Sequence, residues 1–182
     1  MVIEDEVILK KFEDDKTRHE AFSLLLEKYQ QKVYWHIRRI VINHDDADDL
    51  VQDVFIKVWK NLINFRQDSQ LYTWLYRIAT NESITFLKKK SSKNNVSIDD
   101  LSEELGESLN ESQYFSGDVI QRKLQEAIIT LPEKQKLVFN MKYFEEMKFQ
   151  EISDVLGTSV GALKASYHLA VKKIEAHLTT KD

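Results

Sequence analysis

The chain has 182 residues, 42% of them apolar, a formal net charge of −4 and no cysteine, which excludes a disulfide scaffold and any thiolate metal site and fits a reducing compartment. Charges interrupt every apolar run, so nothing approaches the roughly 18 consecutive apolar residues of a membrane span, and the acidic start Met1 to Glu6 is unlike a secretory signal, so a cytoplasmic location is expected. Four glycines and one proline are too few for strands joined by tight turns and point to an all-α chain; the acidic balance excludes nucleic-acid binding by bulk attraction alone.

The first predicted helix runs from about Thr17 to Val41, because Phe22, Leu25, Leu26, Tyr29, Val33, Tyr34 and Ile37 recur at helical spacing. A second starts at HDDADD, residues 44–49, whose carboxylates suit a helix N-terminus, and continues through Leu50, Val54, Val58 and Leu62 to near Asn64. A third starts around Ser69 and passes Trp74, Leu75, Ile78, Ile84 and Leu87 to the lysines 88–90. These three are expected to pack as one bundle, residues 1–92. Residues 93–117 then read as a flexible acidic linker: Ser97 to Asp118 holds no Lys or Arg, and its apolar residues are too sparse to offset ordering entropy. A second small helical domain, 118–182, follows. Pro132 marks the start of one of its helices, and EISDVLGTSVGALKASYHLA, residues 151–170, has the layout of a helix-turn-helix. Ile152, Val155 and Leu156 form the inner face of its first helix, Gly157 makes the turn, and Val160, Leu163 and Tyr167 or Ala170 point inward from the second.

That stretch alone fits a plain αα-hairpin equally well. The residues left outside on its second helix, Ser159, Gly161, Ala162, Lys164, Ala165, His168 and Lys172, are small enough for close approach to a DNA groove but supply few phosphate contacts. Cations concentrate earlier, in Lys57, Lys60, Arg66, Arg77, Lys88, Lys89, Lys90 and Lys93, against Asp68 and Glu82. Tyr72, Trp74 and Tyr76 lie among them, a combination that can hold single-stranded DNA by stacking while cations track the phosphates. The loop Arg66 to Thr73 is a candidate pocket for extruded bases, and Trp74 reads better as core. The HDDADD cluster by itself reads as a solvated helix start; a Mg²⁺ or Ca²⁺ site would need ligands gathered in a loop or facing one another. No Gly-rich phosphate loop, HExxH or nucleophile motif is present, and His19, His36, His44, His168 and His177 lack ligand spacing, so neither an enzyme nor a cofactor, metal or small-molecule substrate is expected.

The segment DADDLVQDVFIKVWKNLINFRQDSQLYTWLYRIATNESITFLKKK, residues 46–90, resembles the core of bacterial sigma factors of the extracytoplasmic-function group. LPEKQKLVFNMKYFEEMKFQEISDVLGTSVGALK resembles that family's carboxy-terminal DNA-reading domain, in the family's order and with the expected linker between. The resemblance implies a factor that binds core RNA polymerase, at its clamp and flap, and directs promoter recognition, melting and initiation. It assigns polymerase contact to Asp48, Asp49, Leu50, Gln52, Asp53, Phe55 and Lys57. Contact with the minus-ten element falls to Arg66, Ser69, Gln70, Leu71, Thr73, Trp74, Arg77, Asn81 and Lys88, and contact with the minus-thirty-five element to the seven outer residues of the second reading helix. It also implies an anti-sigma factor as partner. Two departures are visible. Thr85 stands where the family often has aspartate, and Ala165, Ser166 and Leu169 stand where Ser, Arg and Arg are common. The rival readings are a stand-alone helix-turn-helix regulator, which leaves DADDLVQDVFIKVW unexplained, and a helical adaptor.

Overall fold

The computed structural model describes residues 3–94 and 119–179. Among these the chain forms eight α-helices and no strand: α1 (Asp5–Glu13), α2 (Arg18–Val41), α3 (His44–Asn61), α4 (Leu71–Asn94), α5 (Val119–Ile129), α6 (Glu133–Tyr143), α7 (Phe149–Leu156) and α8 (Val160–Thr179), with a 3-10 turn at Leu62–Asn64.

Helix α1 is an addition to the sequence reading. Its signal is short: Ile8 and Phe12, one turn apart and both buried, with Asp5 and Glu6 in the first turn and Lys10 and Lys11 in the last, where each sign suits the helix dipole. Asp5 pins it to α2, accepting from Lys28 Nζ at 2.7 Å and from the Tyr29 hydroxyl at 2.8 Å. On α2 the buried stripe is Leu25, Tyr29, Val33 and Ile37, while Phe22, Leu26 and Tyr34 remain half-buried. Helix α3 starts behind Asn43, whose side chain accepts from the Asp46 N–H at 3.0 Å, so a neutral cap and the following carboxylates act together. Val54 and Val58 of α3 and Leu75 and Ala79 of α4 close the core over α2. Helix α4 begins two residues later than expected and runs through Asn94, so it takes Lys93 and Asn94, the first two residues of the expected linker; the other linker residues lie outside the described ones.

In the carboxy-terminal half, Ile128, Leu131, Phe139, Ala170 and Ile174 make one small core and Val138, Met141, Met147, Ile152, Val155 and Leu163 another. Gly157 ends α7 at φ 64°, in the left-handed region, its N–H donating to Ser153 O at 2.8 Å. The two halves pack together, α7 against α4 and α6 against α2.

Candidate nucleic-acid and protein-docking surfaces

Because α2 presents Phe22 and Leu26 beside its buried stripe, and α3 presents Phe55, Ile56 and Trp59, the two helices leave a groove of about 520 Å³ between them. Aromatic edges build its floor: Trp59 meets Phe22 at 5.0 Å and Phe12 at 5.4 Å between ring centroids, both nearly perpendicular. Ile56 is 52% exposed at its rim. Through Leu26, Gln30, Val51 and Gln52 this apolar end joins a polar trough reaching Tyr34 and Asp48. Of the residues assigned to polymerase contact, Asp48, Asp49, Gln52, Asp53 and Lys57 are exposed on α3, and Phe55 is buried but lines the groove. Leu50 is buried in the core, so it supports the helix from behind. Lys57 is paired with Glu82 of α4 at 2.5 Å. Phe22, counted in the apolar period of α2, and Ile56 and Trp59, given no role by the sequence reading, line this groove.

The second surface is the segment 65–70 with α4. Arg66, Gln67, Asp68 and Gln70 are exposed, and Gln67 holds φ 57°, a left-handed geometry that a non-glycine residue adopts at a cost. Asn81 and Lys88 are exposed further along α4, while Ser69, Trp74 and Arg77 are half-buried. Trp74 packs on Phe65 at 5.2 Å and belongs with the core. Leu71 and Thr73 depart from the loop reading: both fall in the first turn of α4 and are buried, because the helix begins at Leu71. Lys90 is drawn back to Asp46 at 2.6 Å, whereas Lys88, Lys89 and Lys93 face solvent.

The third surface is α8. Ser159, Gly161, Ala162, Lys164, Ala165, His168 and Lys172 are all exposed, as the spacing required, and Leu169 joins them at 49% exposure. Ser159 has a second duty, its hydroxyl facing the Ala162 N–H at 3.4 Å at the start of the helix.

Between the halves lies a polar cluster with no sequence signal. Glu145, from the turn after α6, accepts from Arg39 Nη1 at 2.5 Å and from the Tyr76 hydroxyl at 2.8 Å. His36 Nδ1 stands 4.0 Å from the same carboxylate. Thr80 gives its hydroxyl proton to Tyr76 O at 2.7 Å, which leaves its oxygen, 2.8 Å from His36 Nε2, to accept, so the imidazole donates from Nε2. Burial, then the Arg39 charge, push its pKa down to about 3 from 6.5. The folded chain thus binds fewer protons here than the unfolded chain between those values. His36 contributes stability in full above about pH 6.5, and that contribution is lost as the pH falls toward 3. Burial raises the Glu145 carboxyl, and the sign there is opposite: its contribution is present at low pH and lost as pH rises through the raised value. Proton NMR of the His36 ring is expected to show no titration between about pH 8 and about pH 5; a midpoint near 6.5 would mean the ring is not held in this cluster.

Residues 25–93 match the family described as Sigma-70 region 2 and residues 121–174 that described as Sigma-70, region 4. Over 179 residues, 94% of this chain and 92% of the other, the sequence is 28% identical to the ECF RNA polymerase sigma-E factor of Escherichia coli (strain K12). The chain belongs to the extracytoplasmic-function sigma factors. It is similarly 29% identical over 177 residues to the RNA polymerase sigma-H factor of Pseudomonas aeruginosa, covering 87% of this sigma factor and 86% of that one. Two solved structures share its fold. RpoE of Bartonella quintana, in complex with the anti-sigma factor NepR, superposes with a TM-score of 0.69 at 19% identity, over 88% of this chain and 98% of that one. CnrH, in complex with the cytosolic domain of CnrY, gives 0.70 at 22% identity, over 98% and 99%. Region 2 of this sigma factor therefore holds most of α2, α3 and α4, and region 4 runs from α5 into α8. No helix of the described residues is long and apolar enough to cross a membrane.

Proposed function

We propose that the chain brings core RNA polymerase to promoters through three separate surfaces. The α2/α3 groove with Asp48, Asp49, Gln52 and Asp53 holds the polymerase clamp. The segment 65–70 with Asn81 and Lys88 takes bases of the melted minus-ten element, whose unstacking costs a few kcal/mol and is offset by the pocket that receives them. The outer face of α8 sets register in the major groove of the minus-thirty-five element. The carrying observation is that a two-helix apolar groove and two DNA-suited faces sit at different places on one chain. Neither DNA face is strongly basic, so each is weak by itself. Tethering both to one polymerase raises their effective concentration and makes the pair selective. The same exposed faces are where an anti-sigma factor would act, and the chain works in the cytoplasm without a cofactor.

The test is reconstitution with core polymerase from the same source. Specific transcription starts are expected with the holoenzyme, and only weak promoter binding by the free chain. Tight sequence-specific binding of a palindrome by the free chain would instead mark a stand-alone regulator. Within the holoenzyme, Lys164→Ala should weaken upstream DNA binding and reduce the slope of log affinity against log salt by about one. An unchanged slope would remove Lys164 from the DNA contact.

A further inference from the structure

Where the end of α2 meets α5 and α6, the packed helices leave a cavity of about 110 Å³. Its charged lining is of one sign. Arg38 and Arg39 come from the last turn of α2 and Lys136 from α6, and no carboxylate is among the lining residues. Arg39 is balanced from outside the lining by Glu145, which accepts from its Nη1. Arg38 is 8% exposed and makes no ion pair among the described residues. Burial lowers its pKa, and the Tyr34 hydroxyl offsets this only in part. The guanidinium stays charged all the same, a cation stripped of water with no counter-charge beside it. One turn beyond Lys136 on α6, and lining the same cavity, stands Asn140, 2% exposed. Neither its amide nitrogen nor its amide oxygen has a hydrogen-bond partner among the described residues. Side-chain amides buried this deeply are ordinarily bonded. Whichever way this one is turned, it asks the cavity for one acceptor and one donor.

We propose that this cavity is a binding site for free hydrogen phosphate, held by Arg38 and Asn140. A guanidinium offers a planar fork of donors that suits two oxygens of one oxyanion. The Asn140 N–H donates to an ionised oxygen as well. Its amide oxygen needs the reverse, an O–H from the ligand, and this chooses among anions. Hydrogen phosphate keeps an O–H at neutral pH, whereas sulfate and carboxylates have none to give. Size makes the same choice: at about 30 Å³ per water, the cavity has room for roughly three or four waters, which suits one phosphate. A nucleotide would need a pocket of about 300 Å³ or more. The site stands on this geometry and not on the function proposed above.

The test titrates inorganic phosphate into the full-length chain near neutral pH, in a buffer otherwise free of it. Sulfate at equal ionic strength is the control, because both anions also stabilise folded proteins by exclusion from their surfaces. Calorimetry is expected to show one phosphate bound per chain. At a hundredfold excess over its dissociation constant, phosphate should raise the melting midpoint by about 5–10 °C more than sulfate does. Asn140→Asp keeps the side chain's shape and adds a negative charge to the cavity, and Arg38→Gln removes a cation; each should weaken phosphate binding roughly tenfold or more. Asn140→Leu removes both unpartnered groups and fills part of the space, so it should melt no lower than the wild type yet bind no phosphate. Phenyl phosphate, too large for the cavity, should not bind. Equal melting shifts with phosphate and sulfate, no heat of binding, wild-type affinity in both Asn140→Asp and Arg38→Gln, or phenyl phosphate binding as tightly as phosphate would each overturn the site.

Discussion

With Ile56 replaced by aspartate, this sigma factor should lose roughly tenfold to hundredfold in affinity for core RNA polymerase while unfolding as before. Ile56 is 52% exposed at the rim of the α2/α3 groove, so the free chain gains little from it and removing it costs the fold little. In a docked complex the side chain would leave water, a gain of about 1.5–3 kcal/mol that the aspartate forfeits. Asp49→Lys, on the exposed polar side of the same helix, should also weaken binding without touching the core. Leu50→Ala cannot make the same distinction, because Leu50 is buried and its loss opens a cavity. A titration of labelled chain against core polymerase, with a thermal melt of each variant, decides the matter. If Ile56→Asp and Asp49→Lys both bind at wild-type strength, the groove is not the polymerase dock.

Ile37→Ala is expected to destabilise the amino-terminal domain by about 2–5 kcal/mol, because Ile37 is fully buried and the helices around it cannot collapse onto the space left. In a domain of this size that lowers the melting temperature by about 10 °C or more. The loss reaches function through position: Ile37 shares α2 with His36 and Arg39, so loosening α2 against α4 also displaces the partners of Glu145. Val7→Ala on the exposed side of α1 is the control and should stay within about 0.5 kcal/mol. Equal melting of the two variants would place the core elsewhere than α2.

Much of region 2 was readable because its helices are long. Over 24 residues of α2 the spacing of Leu25, Tyr29, Val33 and Ile37 is unambiguous, whereas α1 offers only Ile8 and Phe12 and was overlooked. The exposed set on α8 was readable for the same reason, and Gly157 marked its turn. What failed was the division of apolar residues by role. Phe22 and Leu26 follow the same period as Leu25 and Tyr29, yet they line a groove, because only the crossing of α3 decides which side of a wide apolar stripe is covered. Leu71 and Thr73 erred in the other direction: the loop 66–73 was drawn over residues that the expected helix already held, and both are buried in the first turn of α4.

The sequence by itself determined the long helices, the order of the two halves and the family, since each depends on local periodicity or on motifs that are contiguous in the chain. Tertiary structure alone decided the groove and the closing of region 4 on region 2. Glu145 and Arg39 are separated by 106 residues, and no pattern along the chain links them. Their bond exists only because α6 packs on α2 and α7 on α4, which brings a carboxylate and a guanidinium into one small volume sheltered from water, where each needs the other.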